Sequence, residues 1–89
     1  MAKKRRKLNK DFEKKIYSSR KNVELVLAKI YDIDDEDIQK EYISAFNKVV
    51  YLYDQLKEDY ENKGFNDNSE ELLASYKNAF NLFESQFEI

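Results

Sequence analysis

Residues 12–30 read FEKKIYSSRKNVELVLAKI, and the spacing inside this stretch decides the fold. Phe12, Ile16, Ser19, Val23, Val26 and Ile30 follow one another in steps of four and three, with Ser19 filling the one place that is not apolar. That rhythm puts all six side chains on one stripe of an α-helix. A strand, whose side chains alternate between two faces, does not produce it. Leu8 and Leu27 are further apolar positions of the segment. A first helix is therefore predicted over residues 9–31, and its stripe needs other helices to cover it.

Working outward, Asp32-Ile33-Asp34-Asp35 breaks the rhythm. Aspartate competes with a helix through its own backbone and starts a new helix well. A second helix is predicted over residues 35–63, its acidic first turn favourable to the macrodipole. Its apolar positions include Ile38, Tyr42, Ile43, Phe46, Val49, Val50, Tyr53, Leu56 and Tyr60. They cover about half of the helix circumference, enough for two neighbours, so this helix belongs in the middle. Gly64 is the natural residue just beyond its C-terminus. After the loop Phe65-Asn66-Asp67-Asn68, either Asn68 with Glu71 or Ser69 alone is expected to cap a third helix over residues 69–87. That helix carries Leu72, Leu73, Tyr76, Ala79, Phe80, Phe83 and Phe87. Short connections make successive helices antiparallel. The expected architecture is an all-α antiparallel three-helix bundle over residues 9–89, preceded by a basic N-terminal helical extension or tail over residues 1–8.

Composition narrows the chemistry. The 89 residues suffice for one small domain. There is no cysteine and no histidine, which removes thiolate chemistry, sulfur-ligated metals, the commonest metal ligand and the commonest general base. Proline is absent and Gly64 is the only glycine, so Gly-rich phosphate loops are excluded and turns are few. Asp32, Asp34, Glu36 and Asp37 superficially resemble a calcium loop. Asp37, however, stands where glycine is required and Ile43 where a bidentate glutamate is required. No enzyme, cofactor or metal site is expected. No apolar run approaches the roughly 18 residues of a membrane span, and no apolar core follows the basic start as in a signal peptide. The expectation is a cytoplasmic protein that makes no membrane contact.

Charge is split along the chain. Residues 1–21 hold ten cations against two carboxylates, and the remainder holds six against sixteen, for a net charge of −2. A pI near 5.2 thus conceals a basic end on an acidic body. If the first helix extends back through the N-terminus, Lys3, Lys7, Lys10, Lys14 and Lys21 share an arc of roughly 60° opposite the apolar stripe, in a row about 27 Å long. Lys4, Arg5 and Arg6 add to the same basic end. These eight residues are the candidate nucleic-acid-binding set, although lysines opposite an apolar stripe also describe any solvated helix. An acidic protein is an alternative partner for them. Tyr17, Tyr51, Phe65 and Leu82 fall off the helical stripes and are the candidate protein-contact residues.

The lysine-, asparagine- and tyrosine-rich bias points to an AT-rich coding genome and resembles that of phage- and plasmid-encoded accessory proteins. Small size, missing catalytic equipment and opposed charges favour a stoichiometric regulator or inhibitor of a larger protein or nucleoprotein complex. A direct, sequence-tolerant DNA- or RNA-binding protein and a self-associating helical module are the alternatives.

Overall fold

Asn9 turns the chain into its first helix. Its backbone is extended, at φ −141° and ψ 104°, and its side-chain oxygen accepts the Phe12 N–H at 3.0 Å. One of the donors that a helix start leaves free is thereby satisfied. The computed structural model describes residues 7–88, which form α1 (Lys10–Tyr31), α2 (Glu36–Lys63) and α3 (Ser69–Gln86). The bounds match the sequence-based ones to within a residue at every end, and the architecture is the all-α three-helix bundle expected.

The turns between helices are held by side chains. Asp35 caps α2 by accepting the N–H groups of Asp37 and Ile38. Gln39, one turn into α2, brings its amide nitrogen within 3.2–3.4 Å of the Ile30, Tyr31 and Ile33 carbonyls, at and just past the end of α1. Between α2 and α3 the organising residue is Asn66. Its amide donates to Asp59 and to the Gly64 carbonyl, its oxygen accepts the Asn68 N–H, and its own N–H goes to Ser69 Oγ. Asn68 occupies the cap position of α3 but makes no side-chain cap bond there. The expected Asn68 cap is replaced by an Asn66–Ser69 turn, with Ser69 buried inside it.

The stripe of α1 packs as its rhythm requires. Phe12, Ser19, Val23, Val26 and Ile30 are buried and Ile16 is half-buried. Ser19 fits among apolar neighbours because its hydroxyl donates to the Lys15 carbonyl at 2.8 Å, which leaves no unsatisfied polar atom. Helix α2 runs between the other two, packing more extensively on α3 than on α1. Phe46, Val49 and Leu56 are its fully buried centre. At one end of the α2–α3 seam, Tyr42, Phe46, Phe83 and Phe87 form a ring cluster with centroids 4.8–6.3 Å apart. At the opposite end, Phe12 meets Phe65 edge-on at 5.1 Å and Tyr60 at 5.7 Å. Helices α1 and α3 touch each other sparingly. Their polar link is the Tyr76 hydroxyl, which donates to the Ser19 carbonyl at 3.2 Å.

Two expectations are corrected here. First, α1 does not continue back through Lys7. That residue is extended, forms a parallel bridge with Gly64, and accepts the Phe65 N–H on its carbonyl at 2.6 Å. The next polar group along, Asn9 N–H, donates to the Tyr60 hydroxyl at 3.0 Å. The same hydroxyl makes a short contact with Glu13. These partners take the backbone groups that another helical turn would have used internally. Lys3, Lys4, Arg5 and Arg6 lie outside the described residues. Second, Phe65 is half-buried against Phe12 rather than exposed, because the Lys7 strap draws it inward.

Gly64 makes the strap possible. Its φ of 72° with ψ −164° lies in a region essentially closed to residues with a Cβ. Gly64→Ala is expected to destabilise the protein by about 1–3 kcal/mol and to speed hydrogen exchange at the Phe65 amide. Urea unfolding and amide exchange read the two effects.

Tyr76 gives a second test. It is 2% exposed, and burial pushes its hydroxyl up to about 12 from an ordinary 10. The unfolded chain loses this proton near pH 10, whereas the fold keeps it to about pH 12. The stabilisation is complete below pH 10 and disappears as pH climbs through 12, a loss of about 2–3 kcal/mol. Tyr76→Phe should cost about 1 kcal/mol at neutral pH and lose less than the parent on going to high pH. Unfolding curves on either side of pH 10 measure it.

Candidate functional site

The outer face of α1 is set by what its inner face buries. With Phe12, Ser19 and Ile30 turned to the bundle, Lys10, Lys14 and Lys21 lie on the far side, within about 40° of one another at 100° per residue. All three are exposed. Their Cα row is about 16 Å long at 1.5 Å per residue. The ion pairs among the described residues are Arg20–Glu24 at 3.1 Å and Lys63–Asp59 at 3.5 Å, so no carboxylate neutralises the row. Arg20 stands apart from it, since the Glu24 carboxylate binds its guanidinium and holds the charged form more firmly than usual. Lys21 lies over the Tyr17 ring at 5.1 Å, which makes the exposed face of Tyr17 part of the same surface.

Of the eight cations picked out from sequence, the structure therefore brings three together. Lys7 is exposed but sits on the strap, beyond the Asn9 cap and out of register with the helical row. Of the four apolar candidates, Tyr17, Tyr51 and Leu82 are 57%, 61% and 56% exposed, each on a different helix, and Phe65 is withdrawn. Leu82 borders a shallow hollow with Ala45, Lys48 and Gln86.

A wide concavity lies where, of the residues singled out from sequence, Lys14 alone is found. Helices α1 and α3 both lean on α2 and leave between them an open groove of about 1080 Å³. Its floor is Val26, Tyr76, Phe80, Phe83 and Phe87. Lys14, Lys15 and Lys29 stand on the α1 side and Lys77 on the α3 side, with Glu84 and Glu88 toward the end of the α3 wall. Leu25 lines it too and is 57% exposed. Leu25 lies outside the core stripe, and the period of one helix cannot show that a second helix places a groove beside it.

Among the described residues the groove's carboxylates are Glu84, in the last turn of α3, and Glu88, just past its end, with no acid lining the groove across from them. The Asp32–Asp37 cluster serves the start of α2 through Asp35, and among the described residues no group of three or more acidic side chains is arranged to hold a metal ion. Among the described residues no helix is long and apolar enough to cross a membrane. What the surface offers is charge, a lined groove and exposed rings, which are means of binding. Comparison with protein-family models, with curated proteins and with solved structures finds no match to this chain.

Proposed function

We propose that this chain is a non-catalytic helical accessory protein that acts in the cytoplasm by binding, one to one, a larger protein or nucleoprotein complex. It serves there as a regulator or inhibitor and turns the lysine row of α1 toward nucleic-acid phosphates. A phage or plasmid origin accords with the composition. One observation carries the reading: Lys10, Lys14 and Lys21 form an exposed row that no carboxylate among the described residues pairs with, on a chain whose net charge is −2. Carboxylates outnumber cations over the rest of the chain, yet none within the described residues pairs with this row. A phosphate backbone supplies the missing counter-charge and gains entropy from the ions it releases.

The row suits backbone contact rather than base reading. Lysine is a point charge without the fork that recognises a base edge bidentately, and Arg20, which has one, is engaged by Glu24. Binding should therefore tolerate sequence and depend steeply on salt.

Gel shifts of duplex DNA and of RNA at low salt, with Lys10, Lys14 and Lys21 all changed to Glu, test the phosphate contact. Affinity is expected to fall by more than about tenfold, and the slope of log affinity against log salt to shrink by about 2–3. Unchanged binding would remove the row from the mechanism. Affinity capture from a bacterial lysate, with and without nuclease, tests the protein contact, and recovery of nothing under both conditions counts against the whole reading.

A further inference from the structure

We infer that the α1–α3 groove seats an amphipathic helix of a partner protein, with that helix's apolar stripe on the aromatic floor and carboxylates along its flanks. The inference builds on the reading of the chain as a binding protein and supplies the chemistry of its protein partner. It makes no use of Lys10 or Lys21.

Shape is the first support. Helix α2 contacts both neighbours, whereas α1 and α3 meet sparingly, around Ser19 and Tyr76. This is the relation of three corners of a four-helix bundle, in which diagonal helices touch little and a fourth lies against both. The groove occupies the empty corner. Along α3 its floor runs from Tyr76 to Phe87, about 16 Å or three helical turns at 1.5 Å per residue. That length takes apolar anchors at i, i+3 or i+4, i+7 and i+11. Phe80 and Phe87 are only half-buried, so the floor still has apolar surface to cover.

Charge selects the occupant. Four lysines line the groove against two glutamates, an excess of cations on a chain that carries more carboxylates than cations overall. Lys14, Lys15, Lys29 and Lys77 have no ion-pair partner among the described residues. A helix rich in Glu and Asp beside its apolar stripe satisfies them, and a basic helix meets repulsion along the whole α1 wall. Nucleic acid fits less well, because Glu84 and Glu88 face a phosphate chain at one end and Tyr76 and Phe83 are too deeply buried to stack on bases.

Two synthetic helix-forming peptides share one leucine stripe and differ in having Glu or Lys on the flanks. Each is titrated into the intact isotope-labelled protein and followed by amide NMR. The Glu peptide is expected to shift Ser18, Asn22, Leu25 and Asn81 and to bind about tenfold or more tightly than its Lys twin. Changing Lys15, Lys29 and Lys77 to Glu should reverse that preference. These three are exposed and unpaired, and circular dichroism confirms that the variant stays folded. Equal affinity for the two peptides overturns the inference. So does no binding of the Glu peptide, shifts confined to other surfaces, or displacement of the peptide by an oligo-dT strand. Weakened phosphate binding in a variant with only Lys10 and Lys21 changed to Glu, which spares Lys14 on the groove wall, with the peptide preference intact leaves the groove standing. Failure of the peptides with lysate capture intact overturns the groove alone.

Discussion

A helix of 28 residues that is apolar over half its circumference cannot be covered by one neighbour. That constraint, placed on α2, organises the rest of the molecule. Phe46, Val49, Tyr53 and Leu56 occupy its buried centre, and half-buried residues such as Ile43, Val50 and Leu52 widen the arc on either side. Burial of a large apolar side chain contributes about 1.5–3 kcal/mol, so leaving either flank of the arc in water would cost a large share of the stability of so small a domain. Helices α1 and α3 are therefore both drawn to α2. The apolar surface each spends there is not available for the other, and the groove between them follows from the width of α2's arc.

Polar bonds at the helix ends then fix a packing that apolar contact alone leaves loose. Gln39 reaches back over the end of α1, Asn66 ties Asp59 to the start of α3, and Tyr60 receives the Asn9 N–H. Gln39 and Tyr60 meet backbone groups at the ends of α1, while the Asn66–Asp59 bond joins two side chains across the second turn. The Tyr76–Ser19 bond does something different. It crosses between α1 and α3, buried, and limits how far the two can close on the groove. Ser19, the one polar residue in the α1 stripe, thus has a structural use: a small side chain lets Tyr76 approach the backbone carbonyl, which a valine or isoleucine would crowd.

The elements whose logic is local were legible. The 4-3-4-3-4 rhythm of α1, the Asp35 cap and Gly64 each depend on a few neighbouring residues, and helix bounds read from them hold to within one residue. Misreadings came where a distant partner decides. For Lys7 the sequence leaves helix or tail open, and it is the Phe65 N–H, far along the chain, that claims its carbonyl and holds it off the helix. Phe65 falls off the stripes of a helical wheel, yet it meets Phe12, more than fifty residues earlier. Asn68 has the right chemistry for a cap, but its backbone is helical, at φ −91° and ψ −11°, rather than extended, and its side chain makes no cap bond. The groove and the part Leu25 plays in it need the relative placement of α1 and α3, which no single-helix period contains.

Both candidate surfaces share α1, and the charges on that helix are poorly placed for its own stability. Lys10, Lys14 and Lys15 sit in its first two turns, where the macrodipole disfavours cations, and Asp11 and Glu13 offset only part of this. Lys10 and Lys14 are also like charges one turn apart, a spacing that costs an isolated helix about 0.2–0.5 kcal/mol per pair. A helix arranged only to be stable would carry its acids here and its lysines at the other end. Any anion that binds α1 relieves the repulsion between these lysines, and a ligand that prefers the folded state stabilises it in proportion to its binding. On the proposed reading the misplacement has a physical consequence. The least comfortable charges of the fold become its most favourable contacts once a polyanion or an acidic helix supplies the counter-charge, so binding and the firmness of α1 are thermodynamically linked.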